Sequence, residues 1–441
     1  MWRPECKRTL KIEADLGASE NTGMRVTHNE LRASSFQSGA RALGMSKQTQ
    51  VGEGHQSDSR MVVVHLITCL LCGGSEKQLQ QVILASDHER FRHIVIQLRE
   101  DGPLAPELRA AGIEVHSLGM RPGFPSLIGM MRLVHLLRNC KPDLLHCWLY
   151  HACLMGLIGG SLVGVPRILW GLRTAHLGLR DFTFMTRCVI RLCASLSGFT
   201  EGIVVNSEAS ALVHRQLGYS EKRLRVIPNG VDLKLFSPDS HARASVREEL
   251  GLSENALLVG MVARFDPMKD HGTFVHAASI VAKQYPNAHF LLAGEGIAME
   301  NTQLARMLDQ NGVRQKCHLL GQRFDIARLT AALDVACLSS WTESSPNVVI
   351  EAMASAVPCV VTDVGDAALL VGESGKVVPP RNPQALAESM TTLIALAAAE
   401  RRTLGQMARK RVVSEFALQR TVECYEGIYS DSFARVEAKS V

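Results

Sequence analysis

Residues 341–366 read WTESSPNVVIEAMASAVPCVVTDVGD and combine a polar turn, an apolar helical run and a β-branched strand. Glu343 falls in the turn, and Glu351 falls on the first turns of the predicted helix, which gives way to the strand at Pro358. Because the first N–H groups of a helix are unpaired and its dipole is positive there, this helix start favours an anion. The pattern indicates a nucleotide-sugar site, with sugar hydroxyls for the glutamates and a diphosphate for the amides.

The same residues resemble the E-x7-E motif of the large retaining GT-B glycosyltransferase family. The likeness includes the run Asn-Val-Val-Ile-Glu-Ala-Met-Ala from Asn347 and the Val-Thr-Asp-Val-Gly that follows. The resemblance implies a GT-B fold of the α/β class, in which two Rossmann-like domains face each other across a cleft. It also implies that Glu343 faces the transferred sugar and that Asn347, Val348 and Glu351 bind the donor. Taken alone, the stretch also fits a surface loop and an amphipathic helix with two solvated glutamates.

A turn-rich passage, VIPNGVDLKLFSP at residues 226–238, separates two similar halves of the chain. In each half, apolar strand patterns alternate with helical patterns, which is typical of a parallel sheet with helices on both faces. We therefore predict a Rossmann-like acceptor-binding domain over residues 60–235 and a Rossmann-like nucleotide-sugar-binding domain over residues 236–412. Residues 1–59 are polar and aperiodic, which predicts a disordered leader. In the family a last helix, here within residues 413–441, crosses back to the first domain.

Several glycines and one arginine follow predicted strands, where ligands of such sheets bind. Gly73 and Gly74 open the first predicted helix, and their small size lets a backbone approach a phosphate closely. A tight turn without a ligand fits them as well, but the resemblance implies that they lie across the cleft from the donor phosphates. We also assign Gly294, in a strand-end turn, and Arg323 to donor binding, because the loop of Arg323 presents its backbone to the nucleobase in the family.

Two cations, Arg264 and Lys269, straddle the loop after the first strand of the second half. A diphosphate is bound well by such a pair, since Arg offers a planar fork of donors and Lys a point charge. Simple surface solvation is the alternative. The pair resembles the family's Gly-Arg-x-x-x-x-Lys-Gly pattern, although Ala263 precedes the Arg and Asp270 follows the Lys. We expect both cations to stabilise the leaving diphosphate, and Asp270 to weaken the local positive potential.

The strand ending in His-Cys-Trp-Leu-Tyr-His-Ala points to His151 as a further catalytic residue. The run resembles a subgroup of the family with Trp-x-Tyr-His-Ala-Asp, in which the histidine lies near the sugar and the attacking hydroxyl. Cys153 stands where that subgroup has Asp, and a satisfied structural histidine is the alternative reading. A metal cluster of His146, Cys147, His151 and Cys153 is disfavoured, because consecutive residues of a strand point to opposite faces. We expect no metal and no cofactor beyond the donor substrate.

Length and composition fit a globular protein of two domains. The chain has 441 residues, of which 46% are hydrophobic and 21% charged. Its 12 cysteines, many in apolar segments, indicate reduced buried thiols in a cytosolic protein. Cys69 and Cys72 form a C-x-x-C without a second pair at zinc spacing, so redox or metal chemistry there is a minor alternative. We find no signal peptide pattern and no apolar run of roughly 18 residues, and we expect a cytoplasmic protein.

Charge is unevenly divided between the two halves. Residues 60–235 carry 20 Lys and Arg against 13 Asp and Glu, whereas residues 236–441 carry 20 against 23. The basic first half fits an anionic acceptor or an anionic membrane surface, as it would for a protein peripheral to the inner face of the cell membrane. A solvated basic face without a partner fits equally well. We expect no nucleic-acid partner.

The function that the resemblance implies is transfer of a sugar from a nucleoside diphosphate sugar to a hydroxyl of a glycan or lipid-linked acceptor. An intermediate of exopolysaccharide or lipopolysaccharide synthesis is the acceptor expected by analogy. Rivals of the same fold are a nucleotide-sugar epimerase and a phosphorylase, the latter without a convincing pyridoxal phosphate lysine. A non-catalytic module that binds a nucleotide sugar is the rival of another class.

Overall fold

The computed structural model describes residues 59–71, 73–121, 126–175 and 182–430. Its secondary structure forms two parallel sheets, each with helices on both faces. The leader expected over residues 1–59 lies, up to residue 58, outside the described residues, and so does Cys72 of the C-x-x-C pair.

The first sheet contains seven parallel strands in the described residues. They are β1 (Met61–Ile67), β2 (Phe91–Gln97), β3 (Glu114–Ser117), β4 (Leu144–Trp148), β5 (Ile168–Leu172), β6 (Gly202–Val205) and β7 (Leu224–Val226). The helices between them are α1 (Gly74–Ala85), α2 (Ala105–Ala110), α3 (Leu127–Cys140), α4 (Tyr150–Val163), α5 (Phe184–Leu196) and α6 (Glu208–Gln216). The strand order is β3-β2-β1-β4-β5-β6-β7.

Alternation along the strands divides the core of this sheet into two layers. On β1, Val64 and Leu66 pack with α3, α4 and α5, whereas Val63 and Ile67 pack with α1 and α2 on the other face. Successive side chains of a strand point to opposite faces, and the apolar character of both sets is what buries the sheet on both sides.

The second sheet contains six parallel strands in the described residues, in the order β10-β9-β8-β11-β12-β13. They are β8 (Leu257–Val262), β9 (Ala288–Ala293), β10 (Cys317–Leu319), β11 (Val335–Leu338), β12 (Cys359–Thr362) and β13 (Lys376–Val378). The helices of this half are α7 (Ser240–Glu249), α8 (His271–Gln284), α9 (Thr302–Gln310), α10 (Ile326–Ala331), α11 (Asn347–Ala354), α12 (Ala367–Val371), α13 (Pro383–Ala395) and α14 (Ala398–Glu415). The prediction of two Rossmann-like domains is confirmed by these two sheets.

The last helix, α15 (Leu418–Ser430), packs on α1 of the first domain. Its Tyr425 and Tyr429 are buried in the core layer of that domain, and Arg167 donates to the main-chain oxygen of Tyr429 over 2.7 Å. A single parallel bridge between Val231 and Ala417 brings the chain back beside the passage that links the domains. The domain boundaries given above stay predictions.

The passage from β4 to α4 is shorter than the loop expected from the sequence. Leu149 turns the chain in one residue with a φ of +71°, and α4 begins at Tyr150. A branched residue with positive φ is strained, and such strain is common at functional sites. His151 therefore lies in the first turn of a helix at the carboxyl edge of the first sheet.

Candidate active site

Lys269 and Glu343 form an ion pair at the carboxyl edge of the second sheet. Lys269 follows β8 and donates from Nζ to Glu343 Oε1 over 2.5 Å, and the hydroxyl of Ser340 donates to the same oxygen over 2.7 Å. The two side chains retain 21% and 13% exposure, respectively. A largely desolvated pair of this kind holds its ammonium group in a fixed place.

The turn that carries Lys269 is fixed by the neighbouring strand end. Residues Pro267–Lys269 form one 3-10 turn, which Asp266 caps by accepting from the Met268 amide over 2.8 Å. The amide of Trp341 donates to the Met268 carbonyl over 3.0 Å, and Ser339 Oγ donates to the Lys269 carbonyl over 2.9 Å. The backbone of Lys269 is thus held independently of its ion pair with Glu343.

Asp270 has a structural role in this loop. Its φ is +49°, a left-handed conformation that favours glycine and that Asp tolerates better than most residues. Its carboxylate caps α8 by accepting from the Thr273 amide over 3.1 Å and from the Thr273 hydroxyl over 2.7 Å. The conformation explains why a glycine suits this place in the family pattern, and the cap gives the negative charge a partner.

Arg264 lies beside the same turn and is paired with Asp266. Its Nη2 and Asp266 Oδ2 are 3.1 Å apart, and 44% of the Arg264 side chain is exposed. Gly294 lies against the backbone before Arg264, because a Cβ at this glycine would lie 2.1 Å from the Ala263 carbonyl oxygen. Gly294 therefore permits the close approach of the β8 and β9 loops, and any larger residue would displace Arg264.

Two helix starts without side-chain caps approach each other from the two domains. Helix α1 begins after Gly73 and α11 begins after Pro346, and neither of these residues supplies a side-chain cap. A Cβ at Gly74 would lie 3.5 Å from Asn347 Nδ2, so the first turns of both helices meet in one region. The positive dipole ends and the remaining unpaired N–H groups make this region attractive to an anion, although at the start of α1 the Glu76 carboxylate already accepts from its own N–H and opposes that attraction.

Glu76 lies over the start of α1, and sequence reasoning did not select it. The residue is buried, and its carboxylate is within 2.5 Å of the place where a Cβ of Gly73 would stand. Burial raises the pKa of Glu76, while its own backbone N–H and the charges of Arg173 and Arg264 act in the opposite direction. The signal available in the sequence was the Gly-Gly-Ser-Glu run that contains it.

Glu351 lies in the second turn of α11. Its surroundings desolvate the carboxyl group and raise its pKa to about 7, which the charge of Lys77 in α1 partly opposes. The carboxylate has no hydrogen-bond partner among the described residues, and Glu351 lines a small cavity whose other walls are mostly apolar residues of the second domain, among them Leu333 and Val348. Glu351 is therefore available to accept hydrogen bonds from a ligand.

A chain of polar side chains connects the first domain to α11. Arg173, which follows β5, donates to Asn229 Oδ1 over 2.5 Å, and Asn229 Nδ2 donates to Asn347 Oδ1 over 2.6 Å. The guanidinium of Arg173 also stacks over the Trp148 ring at 4.7 Å and donates to the Tyr425 hydroxyl over 2.8 Å. Asn229, of the Pro-Asn-Gly passage, is 4% exposed, so its amide is fully committed to this link between domains.

A second link between the domains flanks Glu343. Asp366 accepts from the amides of Glu208 and Ala209 at the start of α6 over 2.8 and 2.9 Å. Ser344, next to Glu343, shares a 2.7 Å hydrogen bond with Ser207. The loop of Glu343 is thus tied to the first domain at Ser344 and through Asp366, whose amide donates to the Ser344 carbonyl over 2.9 Å.

Two family models match the chain. Residues 256–395 match the glycosyl transferases group 1 model, and residues 72–235 match the glycosyltransferase family 4 model. The first match covers all six strands of the second sheet, and the second match covers the strands of the first sheet except β1. The chain belongs to the GT-B glycosyltransferases.

Relatives and solved structures are consistent with the assignment of the chain to this family. It is 26% identical over 328 residues to the UDP-Gal:α-D-GlcNAc-diphosphoundecaprenol α-1,3-galactosyltransferase of Escherichia coli, covering 69% of this chain and 80% of that protein. It is 31% identical over 215 residues to the D-inositol 3-phosphate glycosyltransferase of Mycolicibacterium gilvum, covering 47% and 46%, respectively. The crystal structure of Anabaena Alr3699/HepE with UDP and glucose matches with a TM-score of 0.74 and 23% identity, over 84% of this chain and all 100% of that one, a likeness of fold.

His151 and Arg323 are not joined to the Lys269 and Glu343 pair of the glycosyltransferase by any hydrogen bond or ion pair within the described ranges. His151 is exposed, and partial desolvation lowers its pKa. Arg323 donates to Asp325 over 2.7 Å and to Glu249 over 2.8 Å, and these carboxylates raise its pKa further above the usual value. Both residues remain predicted site residues.

The polar residues around His151 are mostly buried. Cys147 and Cys153 lie in the core layer of α3, α4 and α5, where burial raises their pKa values. His146 faces the other layer and shares a 3.0 Å hydrogen bond with the Tyr429 hydroxyl. Within the described part of the chain, no group of three or more His, Cys, Asp or Glu is arranged to hold a metal ion.

The apolar helices of the glycosyltransferase are short. Helix α4, which contains no Asp, Glu, Lys or Arg, has 14 residues. Among the described residues, none of the helices has the length and hydropathy required to span a bilayer.

Proposed function

We propose that this glycosyltransferase moves a sugar, with retention of anomeric configuration, from a nucleoside diphosphate sugar to a hydroxyl of a glycan or lipid-linked acceptor. The observation that carries the proposal is the meeting of two uncapped helix starts, α1 and α11, from opposite domains. A diphosphate needs N–H donors and cations, and this region supplies both, with Lys269 and Arg264 at the neighbouring strand end.

The reaction follows from where negative charge develops. As the glycosidic bond breaks, charge grows on the diphosphate, and Lys269, Arg264 and the helix-start amides stabilise it most in the transition state. Glu343 orients the Lys269 ammonium and faces the sugar. Because the backbone of the Lys269 turn is fixed before any ligand binds, little reorganisation is needed during the reaction.

The remaining residues bind and orient the substrates. Glu351, with a free carboxylate, accepts hydrogen bonds from the ribose hydroxyls, and Asn347 and Val348 offer backbone amides to the phosphates. His151 contacts the sugar or orients the acceptor hydroxyl, whose proton passes to the departing phosphate. The proposal requires no metal or other cofactor, so a chelator such as EDTA should leave turnover unchanged.

The place of the reaction is proposed from the relatives. One relative is named for an undecaprenol-linked acceptor, which supports a lipid-linked acceptor here. We place the reaction in the synthesis of a cell-surface polysaccharide, at the cytoplasmic side of the membrane.

The test combines calorimetric titration with a transfer assay, each with a panel of UDP-, GDP- and ADP-sugars. The proteins are wild type, Glu351→Ala and, as a matched control, the exposed Glu300→Ala. We expect one donor to bind wild type and Glu300→Ala, with affinity for Glu351→Ala at least tenfold weaker. NMR of the product should show the anomeric configuration of the donor. An inverted product would refute retention, and failure of every donor to bind would favour the non-catalytic alternative.

A further inference from the structure

One helix layer of the first domain exposes large apolar side chains. In α3, Leu127, Ile128 and Met131 are 83%, 59% and 63% exposed, and in α4 and α5 Leu162 and Phe184 are 64% and 69% exposed. Helix α4 contacts α3 on one side and α5 on the other, so the three helices form one continuous surface. We refer to the solvent side of α3, α4 and α5 as the apolar face.

The apolar face reaches the edge of the sheet where the candidate site lies. Helices that follow parallel strands begin at the carboxyl edge, so the first turns of all three helices lie there. Leu127 and Ile128 belong to the first turn of α3, and Phe184 belongs to the first turn of α5. They flank the first turn of α4, which presents His151.

The charge of the apolar face is of one sign. Helices α3, α4 and α5 contain four arginines and no aspartate or glutamate. The arginines are Arg132, Arg138, Arg187 and Arg191, and Arg187 stacks over the Phe184 ring at 5.9 Å. By contrast, α1, α2 and α15 on the opposite layer carry charges of both signs, with four glutamates (Glu76, Glu107, Glu423 and Glu426) and three cations (Lys77, Arg109 and Arg420).

We propose that the apolar face docks on an anionic lipid bilayer. Large apolar residues interleaved with cations are typical of helices that lie in the membrane interface, where each cation near the surface is attracted to anionic head groups. A second copy of the chain fits this face poorly, because a symmetric contact would bring the same cationic helices together without carboxylates between them. Docking places the His151 edge of the cleft at the membrane, within reach of a lipid-linked acceptor.

The proposal is tested by co-sedimentation of the full chain with vesicles of equal parts phosphatidylglycerol and phosphatidylcholine, and with vesicles of phosphatidylcholine alone. One variant removes apolar contact, Leu127→Gln with Phe184→Gln, and another removes charge, Arg138→Gln with Arg191→Gln. Matched controls on α14 of the second domain are Met407→Gln with Val413→Gln, both exposed to 48%, and the exposed pair Arg402→Gln with Lys410→Gln.

We expect binding to the anionic vesicles that weakens at high salt and falls about tenfold in both face variants, with both controls unchanged. Absence of binding, equal loss in the controls, or a salt-independent affinity for neutral vesicles would overturn the proposal. A concentration-dependent dimer that the face variants dissociate, without vesicle binding, would also overturn it in favour of a second copy. Because neither donor nor acceptor is present, the outcome does not depend on the proposed reaction.

Discussion

The two sheets have matching strand orders, so helices that follow corresponding strands occupy equivalent places. Helices α4 and α11 each follow the fourth strand of their sheet, and α1 and α8 each follow the first. Of these four helix starts, only that of α8 is closed by the side chain of its own N-cap residue, Asp270. The second domain thus places its cations in a loop whose helix start is already satisfied. Its proposed anion site on the backbone is the start of α11, opposite α1.

The two domains also differ in how their candidate residues are held. Lys269 and Glu343 are paired, and the turn of Lys269 is fixed by three hydrogen bonds of its backbone and cap. His151 of the first domain is exposed and without a hydrogen-bond partner among the described residues. In the proposed reaction, the donor half is therefore formed in advance, whereas the acceptor half is completed by its ligand.

The largest effect is expected from the donor half. Replacing Lys269→Ala removes a positive charge that acts on the leaving diphosphate, and we expect kcat/KM to fall by the equivalent of about 2–4 kcal/mol. The matched control is Lys283→Ala, an exposed lysine of the adjacent α8, which should keep its turnover. Steady-state kinetics with the identified donor decide the matter, and near-normal turnover of Lys269→Ala would remove the assignment.

A backbone change should disturb the same half indirectly. Gly365 has a φ of +55°, and a Cβ there would lie 2.4 Å from the Glu343 carbonyl oxygen. Gly365→Ala should displace Glu343 and lower kcat about tenfold or more. Gly251→Ala is the matched control, since its φ is +64° and a Cβ there meets nothing within 4 Å. A similar fall in kcat for both variants would show that backbone strain, and not displacement of Glu343, causes the loss of activity.

The link between the domains should affect stability more than chemistry. Asn229→Ala leaves Arg173 and Asn347 without their buried amide partner, at a cost of about 1–3 kcal/mol in the free energy of unfolding. Urea denaturation measures this cost, with the exposed Asn255→Ala as control. An unchanged midpoint for Asn229→Ala would mean that the chain of hydrogen bonds does not hold the domains together.

The smallest effect is a pH dependence specific to Glu351. Desolvation raises its pKa to about 7, so the carboxyl group is mainly protonated below pH 7 and ionised above it. Because the ionised form accepts hydrogen bonds from ribose hydroxyls, donor affinity should rise several-fold between pH 6 and pH 8. Calorimetric titration of Glu351→Gln should show a flat profile over this range. Parallel profiles for the two proteins would contradict the role of the carboxylate.

The same shift has a consequence for stability with a definite sign. A carboxyl group whose pKa is raised by folding favours the folded state most below its unfolded pKa of about 4.3, and this contribution is lost as the pH rises through 7. Between these pH values, the free energy of unfolding of Glu351→Gln should therefore decline less with rising pH than that of wild type.

The fold was predictable because alternation of strand and helix patterns depends on local sequence. The pairing of Lys269 with Glu343 was not predictable, because 74 positions of sequence separate the two residues. Each residue was selected separately as a candidate. The left-handed φ of Asp270 could not be predicted from the sequence, in which the one indication was that Asp stands where the family pattern has glycine. One ion pair of Arg323 is with Glu249, in α7, and only the packed structure brings these two residues together.

The measurement that tests the central claim most directly is calorimetric titration of UDP, GDP and ADP into wild type, Lys269→Ala and Lys283→Ala. If the diphosphate binds between the two helix starts beside Lys269, one nucleotide should bind wild type and Lys283→Ala equally, and Lys269→Ala at least tenfold more weakly. Equal affinity for all three proteins, or no binding to wild type, would contradict a diphosphate site at this place.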